Sequence, residues 1–175
     1  MIETLQNFNH ILAIFAILIT LGTLLVIIDL NTKRFLATYV REWGLVIAFF
    51  MTTVAMSISL TYSEVFGLIP CGLCWLQRVA MYPQVVLTAT AIFIRDTKKM
   101  PVYGIALSIF GWIFGAYQHY LQMGGAEFIK CPASGGDCAR RFLFEFDFVT
   151  LPLLATILFT FLITLYVYML KVQKD

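Results

Sequence analysis

Five apolar runs set the terms for this chain, each long enough to cross a bilayer core, which takes roughly 20 helical residues. They cover residues 11–28, 43–63, 71–94, 101–122 and 149–170, with short charged segments between them. A backbone in hydrocarbon must satisfy its own hydrogen bonds, so only helices and closed barrels span. None of the five runs shows the sustained alternation of a barrel strand. The expected fold class is an all-α integral membrane protein. Composition agrees, with 61% hydrophobic and 13% charged residues, outside the range of soluble domains. A net charge of +2 with no basic cluster argues against a nucleic-acid partner and leaves membrane lipid as the surrounding medium.

The first run invites a signal-peptide reading. Against it, the residues ahead contain Glu3 and no Lys or Arg, the apolar core is long, and no small-x-small cleavage pattern precedes Lys33 and Arg34. It is taken as a permanent helix. Five spans put the termini on opposite sides, and basic residues choose between the two topologies. Lys33, Arg34, Arg41, Arg95, Lys98, Lys99, Lys171 and Lys174 share one side; Lys130, Arg140 and Arg141 share the other. The richer side is expected to be cytoplasmic. The N-terminus and all four cysteines, Cys71, Cys74, Cys131 and Cys138, then lie on the outer, extracytoplasmic face of the membrane, where disulfides persist.

Cys71 and Cys74 follow Pro70 and open the third apolar run. Pro suits a helix start, so the pair is expected in the first helical turn. Free N–H groups and the positive end of the helix dipole there favour thiolate. Arg78, four residues beyond Cys74, falls on the same helical face one turn deeper and can stabilise a thiolate. Arg78 can equally snorkel to the headgroups, and Gln77 reads as interfacial filler. Cys131 and Cys138 bracket the turn-rich stretch Pro-Ala-Ser-Gly-Gly-Asp, expected to close a small exposed disulfide open to an incoming thiolate. The phenylalanines at 142, 144, 146 and 148 are expected to lie along the membrane interface. Two alternatives use the same sulfurs: a zinc site, disfavoured by the six-residue spacing of the second pair, and two structural staples.

Cys-Gly-Leu-Cys-Trp-Leu-Gln-Arg opening a helix, followed two helices later by a Cys-Pro…Gly-Asp-Cys-Ala loop, resembles the disulfide-bond formation protein B (DsbB) family. The short loop and Met81-Tyr82-Pro83 are closest to its BdbC-type branch. The order of the pairs separates it from the vitamin K epoxide reductase family, in which the loop pair comes first. The resemblance covers roughly residues 43–170 and implies a four-helix transmembrane redox core, here residues 43–175. Residues 1–42 add a further N-terminal transmembrane helix and a cytoplasmic linker.

By that resemblance, the protein reoxidises a DsbA-like thioredoxin-fold thiol oxidase outside the cytoplasm and passes electrons to a membrane quinone, ubiquinone or menaquinone, supporting disulfide bond formation. The resemblance makes Cys71, Cys74, Cys131 and Cys138 catalytic. It places Cys74, Arg78 and His119 at the quinone, with His119 alternatively a plain interfacial residue. Trp75 reads as an interfacial aromatic or a stacking partner, and Pro83 as a kink in the third span.

Overall fold

The computed structural model describes residues 2–32, 35–131 and 136–173. Five helices follow one another: α1 (Ile2–Asn31), α2 (Ala37–Leu60), α3 (Gly72–Ile94), α4 (Lys99–Gln122) and α5 (Leu151–Val172). A π-helical turn, Thr61–Val65, extends α2. Two short strands, β1 (Phe144–Glu145) and β2 (Val149–Thr150), pair antiparallel just before α5. Among the described residues, the regular structure is thus all-helical but for this hairpin. α1 and α2 begin several residues before their apolar runs, because polar residues such as Gln6 and Arg41 keep helical geometry beyond the hydrocarbon edge.

α1, α4, α5 and α2 with its π turn are each long and apolar enough to cross a membrane. α3 is equally long at 23 residues but falls short in apolarity, because it carries Gln77, Arg78, Gln84 and Thr88. All four are buried, turned toward neighbouring helices as polar groups at membrane depth must be. α3 lies against α2 and α4, and α5 lies against the same two, which closes a four-helix ring; α1 packs outside it, against α5. α3 runs on as one helix through Pro83.

The contact between α4 and α5 depends on small residues. Gly104, Ser108, Gly111 and Gly115 recur at helical spacing on one face of α4, the pattern by which membrane helices approach closely. The rings of Tyr166 and Phe159, both fully buried, occupy the space a Cβ would need at Gly104 and Gly111. A polar knot sits in this core: Tyr166 Oη and Ser108 Oγ donate to Gln84 Oε1 at 3.2 and 3.3 Å, while Gln84 Nε2 donates to Ala80 O at 3.1 Å. Each amide atom of Gln84 therefore has a partner, which keeps its burial inexpensive.

Alternating helix direction gives the bundle two distinct ends. One gathers the N-termini of α1, α3 and α5 with residues 123–131 and 136–150, and holds all four cysteines. At the other, Tyr168 Oη donates to Asp29, Arg41 Nη2 donates to Val172 O, and Gln173 Nε2 donates to Thr97 O. Lys33, Arg34 and Lys174, part of the basic count, lie outside the described residues.

Candidate redox site

Cys71 is the N-cap of α3. Its backbone is extended (φ −77°, ψ 171°), and its sulfur accepts from the Cys74 N–H at 3.3 Å, taking the role usually filled by a Ser or Asp oxygen. Pro70 therefore precedes the cap instead of occupying the first helical position. This turn brings the two free thiols to an Sγ–Sγ separation of 2.8 Å.

Gln118 of α4 reaches across to them. Its Nε2 donates to Cys71 Sγ at 3.1 Å and to Cys74 Sγ at 3.3 Å, and it stands 3.5 Å from Cys138 O. Gln77 Nε2 donates to Gln118 Oε1 at 2.7 Å, which fixes the amide with its N–H groups toward sulfur. Gln77 is therefore no interfacial filler but the residue that orients the bridge. Sequence reasoning passed over Gln118. The available signal was a glutamine inside an apolar run, one turn from Gln122.

Arg78 is 7% exposed and does not extend to the surface. Its Nε donates to Ser59 Oγ at 2.9 Å, and Nη2 donates to Ser59 O at 2.8 Å and Ser63 Oγ at 3.1 Å. Ser59 precedes the π turn and Ser63 lies within it, a distortion often found at functional sites. Trp75, half exposed, lies beneath the guanidinium, 5.1 Å from its carbon to the ring centre, a cation–π arrangement. Among the described residues, no carboxylate forms an ion pair with Arg78.

Cys131 and Cys138 form a disulfide with Cα atoms 6.1 Å apart. Its two ends differ, which corrects the expectation of a bond exposed at both. Cys138 is 2% exposed and packs with Cys71, Leu73 and Leu121, while Cys131 is only partly covered. The reason is that the loop folds back on the helix ends. Arg141 Nε donates to Gln122 O at 2.6 Å, Gln122 Nε2 to Arg140 O at 2.9 Å, and Tyr117 Oη accepts from the N–H groups of Phe128 and Ile129 at 2.9 and 2.7 Å. Residues 132–135 of the turn stretch between the cysteines lie outside the described residues. Phe144, Phe146 and Phe148 are exposed, while Leu143 and Val149 are buried against Leu12, Ala13 and Tyr62.

His119 takes a different direction. Its Nδ1 is 2.8 Å from Thr150 Oγ1, the N-cap oxygen of α5, and it does not line the cavity that reaches Cys74.

That cavity measures about 140 Å³. Apolar side chains of α1, α2 and α5 form its walls, and Cys74, Gln77, Arg78, Gln118 and Gln122 form its polar end. Gln122 Oε1 is buried without a hydrogen-bond partner among the described residues, an acceptor awaiting a donor. A dry apolar cavity of about 150 Å³ is known to admit benzene, so a six-membered ring fits this volume. Among the described residues, no three His, Cys, Asp or Glu side chains converge as a metal site needs.

Residues 40–169 match the family described as disulfide bond formation protein DsbB. The chain belongs to the DsbB family. This is a family of disulfide-forming membrane oxidoreductases. Among its relatives, disulfide bond formation protein C of Bacillus subtilis is 39% identical over 124 residues, 70% of this chain and 88% of that protein. The "Probable disulfide formation protein C 2" of Bacillus anthracis is 34% identical over 139 residues, 79% of this chain and 99% of that protein. A DsbB-family relative from the SPbeta prophage of Bacillus subtilis, named disulfide bond formation protein B, is 30% identical over 121 residues, 69% of this chain and 80% of that protein. No solved structure matches the chain.

Proposed function

We propose that the protein takes electrons from a reduced thioredoxin-fold thiol oxidase at the outer membrane face and delivers them to a membrane quinone. The observation that carries this reading is the position of Cys74. One side of it meets Cys71 and the Gln118 bridge to Cys138; the other opens into an apolar, ring-sized cavity with Arg78 at its polar end.

The chain's own residues perform a relay of thiol–disulfide exchanges. The partner's thiolate attacks Cys131, the less covered sulfur, and Cys138 leaves as thiolate. The partner's second cysteine then attacks the mixed disulfide, so the partner ends oxidised and Cys131 and Cys138 end as thiols. When Cys71 and Cys74 are joined, Cys138 attacks Cys71, against which it is packed, and Cys74 leaves. Cys131 then displaces Cys71 and restores the loop disulfide, leaving Cys71 and Cys74 as a dithiol. A bound quinone supplies a two-electron, two-proton acceptor for that dithiol. The Gln118 amide stabilises negative charge on both sulfurs, and Arg78 presents fixed positive charge to an acceptor oxygen in the cavity. The unpartnered Gln122 Oε1 offers an acceptor for a reduced hydroxyl. His119 holds Thr150 at the start of α5, and its contribution to the acceptor is indirect.

The orientation proposed with this function has the cysteine-bearing end outside, following the basic-residue bias of the sequence. Purified protein in detergent, given a reduced thioredoxin-fold dithiol protein and either ubiquinone or menaquinone analogues, is expected to oxidise the dithiol only when quinone is added. Dithiol oxidation at the same rate without quinone overturns the reading.

A further inference from the structure

α1 stands apart from the rest of the family pattern. The family match begins at residue 40, whereas α1 spans Ile2–Asn31. Most of its surface faces outward: Ile11, Leu18, Leu21, Leu25 and Ile28 are all more than half exposed, as suits lipid contact. Its inward face holds polar latches at both ends. Near the cysteine-bearing end the buried Asn9 accepts from Tyr62 Oη and donates to Phe142 O at 3.2 Å. Near the opposite end Asp29 accepts from Tyr168 Oη and from the N–H groups of Phe35 and Leu36.

Between the latches this face packs against α5 and also borders a cavity. Leu12, Phe15, Ala16 and Ile19 border the cavity that holds Cys74 and Arg78. They complete a wall to which α2 contributes Met51 and Ala55 and α5 contributes Ala155 and Leu158. α1 thus stands beside α2 and α5 in the lining of this cavity.

We infer that α1 is the lateral wall of the acceptor cavity and that Phe15 and Ala16 set which quinone rings it admits. This rests on the reading of the cavity as the acceptor site. The latches hold α1 at a fixed distance, so the ring space depends on side-chain size at the middle of the helix. Ala16, 3% exposed, keeps that space open, and Phe15 bounds it toward the membrane.

The test is equilibrium binding of decylubiquinone and of menadione, a two-ring quinone, to the full-length protein in detergent, followed by quenching of tryptophan fluorescence. Ala16→Phe fills the space from α1, and Ala155→Phe fills it from α5. Each is expected to weaken decylubiquinone binding about tenfold through lost apolar contact and volume. Phe15→Ala, a mild truncation of a side chain already 41% exposed, is expected to shift the ratio of the two affinities toward menadione. Weakened binding in Ala155→Phe with no change in either α1 variant overturns the inference and leaves the acceptor site standing. No change in any of the three overturns the acceptor-site reading and the inference with it.

Discussion

The side-chain nitrogen of Gln118 lies 3.1 Å from Cys71 Sγ, so the cap of α3 and the residue just before the last turn of α4 share one hydrogen-bonded contact. The same nitrogen touches Cys74 and approaches the Cys138 carbonyl. One amide therefore registers both redox pairs against each other. Gln118→Leu removes donors from the sulfurs and leaves Gln77 Nε2 with only its 3.4 Å contact to Leu73 O. A hydrogen bond to a charged group contributes about 1.5–3 kcal/mol, so alkylation of the reduced Cys74 at neutral pH is expected to slow by about tenfold to a hundredfold. Mass spectrometry of the labelled peptide measures this, and an unchanged rate contradicts the role given to Gln118.

Among the described residues Arg78 is held by Ser59 and Ser63 rather than by an acid, so no carboxylate pairs with it at the polar end of the cavity. Arg78→Met is expected to raise the quinone KM by about tenfold, the worth of one modest charge-assisted contact. The KM for the partner dithiol should stay within about twofold. Ser59→Ala, which keeps the Ser59 carbonyl contact, should give a smaller change of the same kind. A parallel loss in both KM values would assign Arg78 to folding.

In the proposed relay, the unequal burial of Cys131 and Cys138 makes Cys131 the entry point. A partner lacking its second cysteine cannot resolve the mixed disulfide, and the trapped species is expected at Cys131. Peptide mapping of the cross-linked product identifies the sulfur, and a cross-link at Cys138 overturns the order of the relay.

Gly111 faces the Phe159 ring with no room for a Cβ, whereas Gly22 on α1 has nothing within 4 Å of that position. Overpacking costs typically about 1–3 kcal/mol. Gly111→Ala is expected to lower the thermal unfolding midpoint in detergent by several degrees, while Gly22→Ala holds or raises it. Equal effects would mean that α4 and α5 are not packed as described.

Membrane-impermeant thiol reagents applied to intact cells after mild reduction are expected to label Cys131. Labelling that appears only after the membrane is permeabilised reverses the proposed orientation.

Much of this was legible in the residues because it depends on local spacing. The helix-end pair, the one-turn offset of Arg78 and the separation of four cysteines by two helices follow from counting along the chain. Gln118 and Gln77 were not legible in the same way: their function exists only where α3 and α4 cross, and an isolated glutamine in an apolar run is the same letter at an interface or in filler. His119 carried more chemical promise than Gln118, yet one residue along a helix is a rotation of about 100°, enough to turn it to Thr150. The fate of Cys138 depended on how the loop returns over the helix ends through Arg140, Arg141 and Tyr117, contacts that turn composition does not encode. α1 was unreadable for the opposite reason. It is apolar on nearly every side, so nothing in its pattern marks the face that meets the cavity.

The enclosure of Cys138 has a consequence for leakage. A small dissolved thiol that strikes Cys131 expels a sulfur that cannot drift away and sits poised to reseal the bond at high local concentration. To finish the exchange without a second collision, the attacker must bring a second sulfhydryl already aimed at the new linkage, which a two-cysteine protein does and glutathione does not. On the proposed relay, the chain thereby favours two-thiol reductants over one-thiol reductants before any surface recognition takes place.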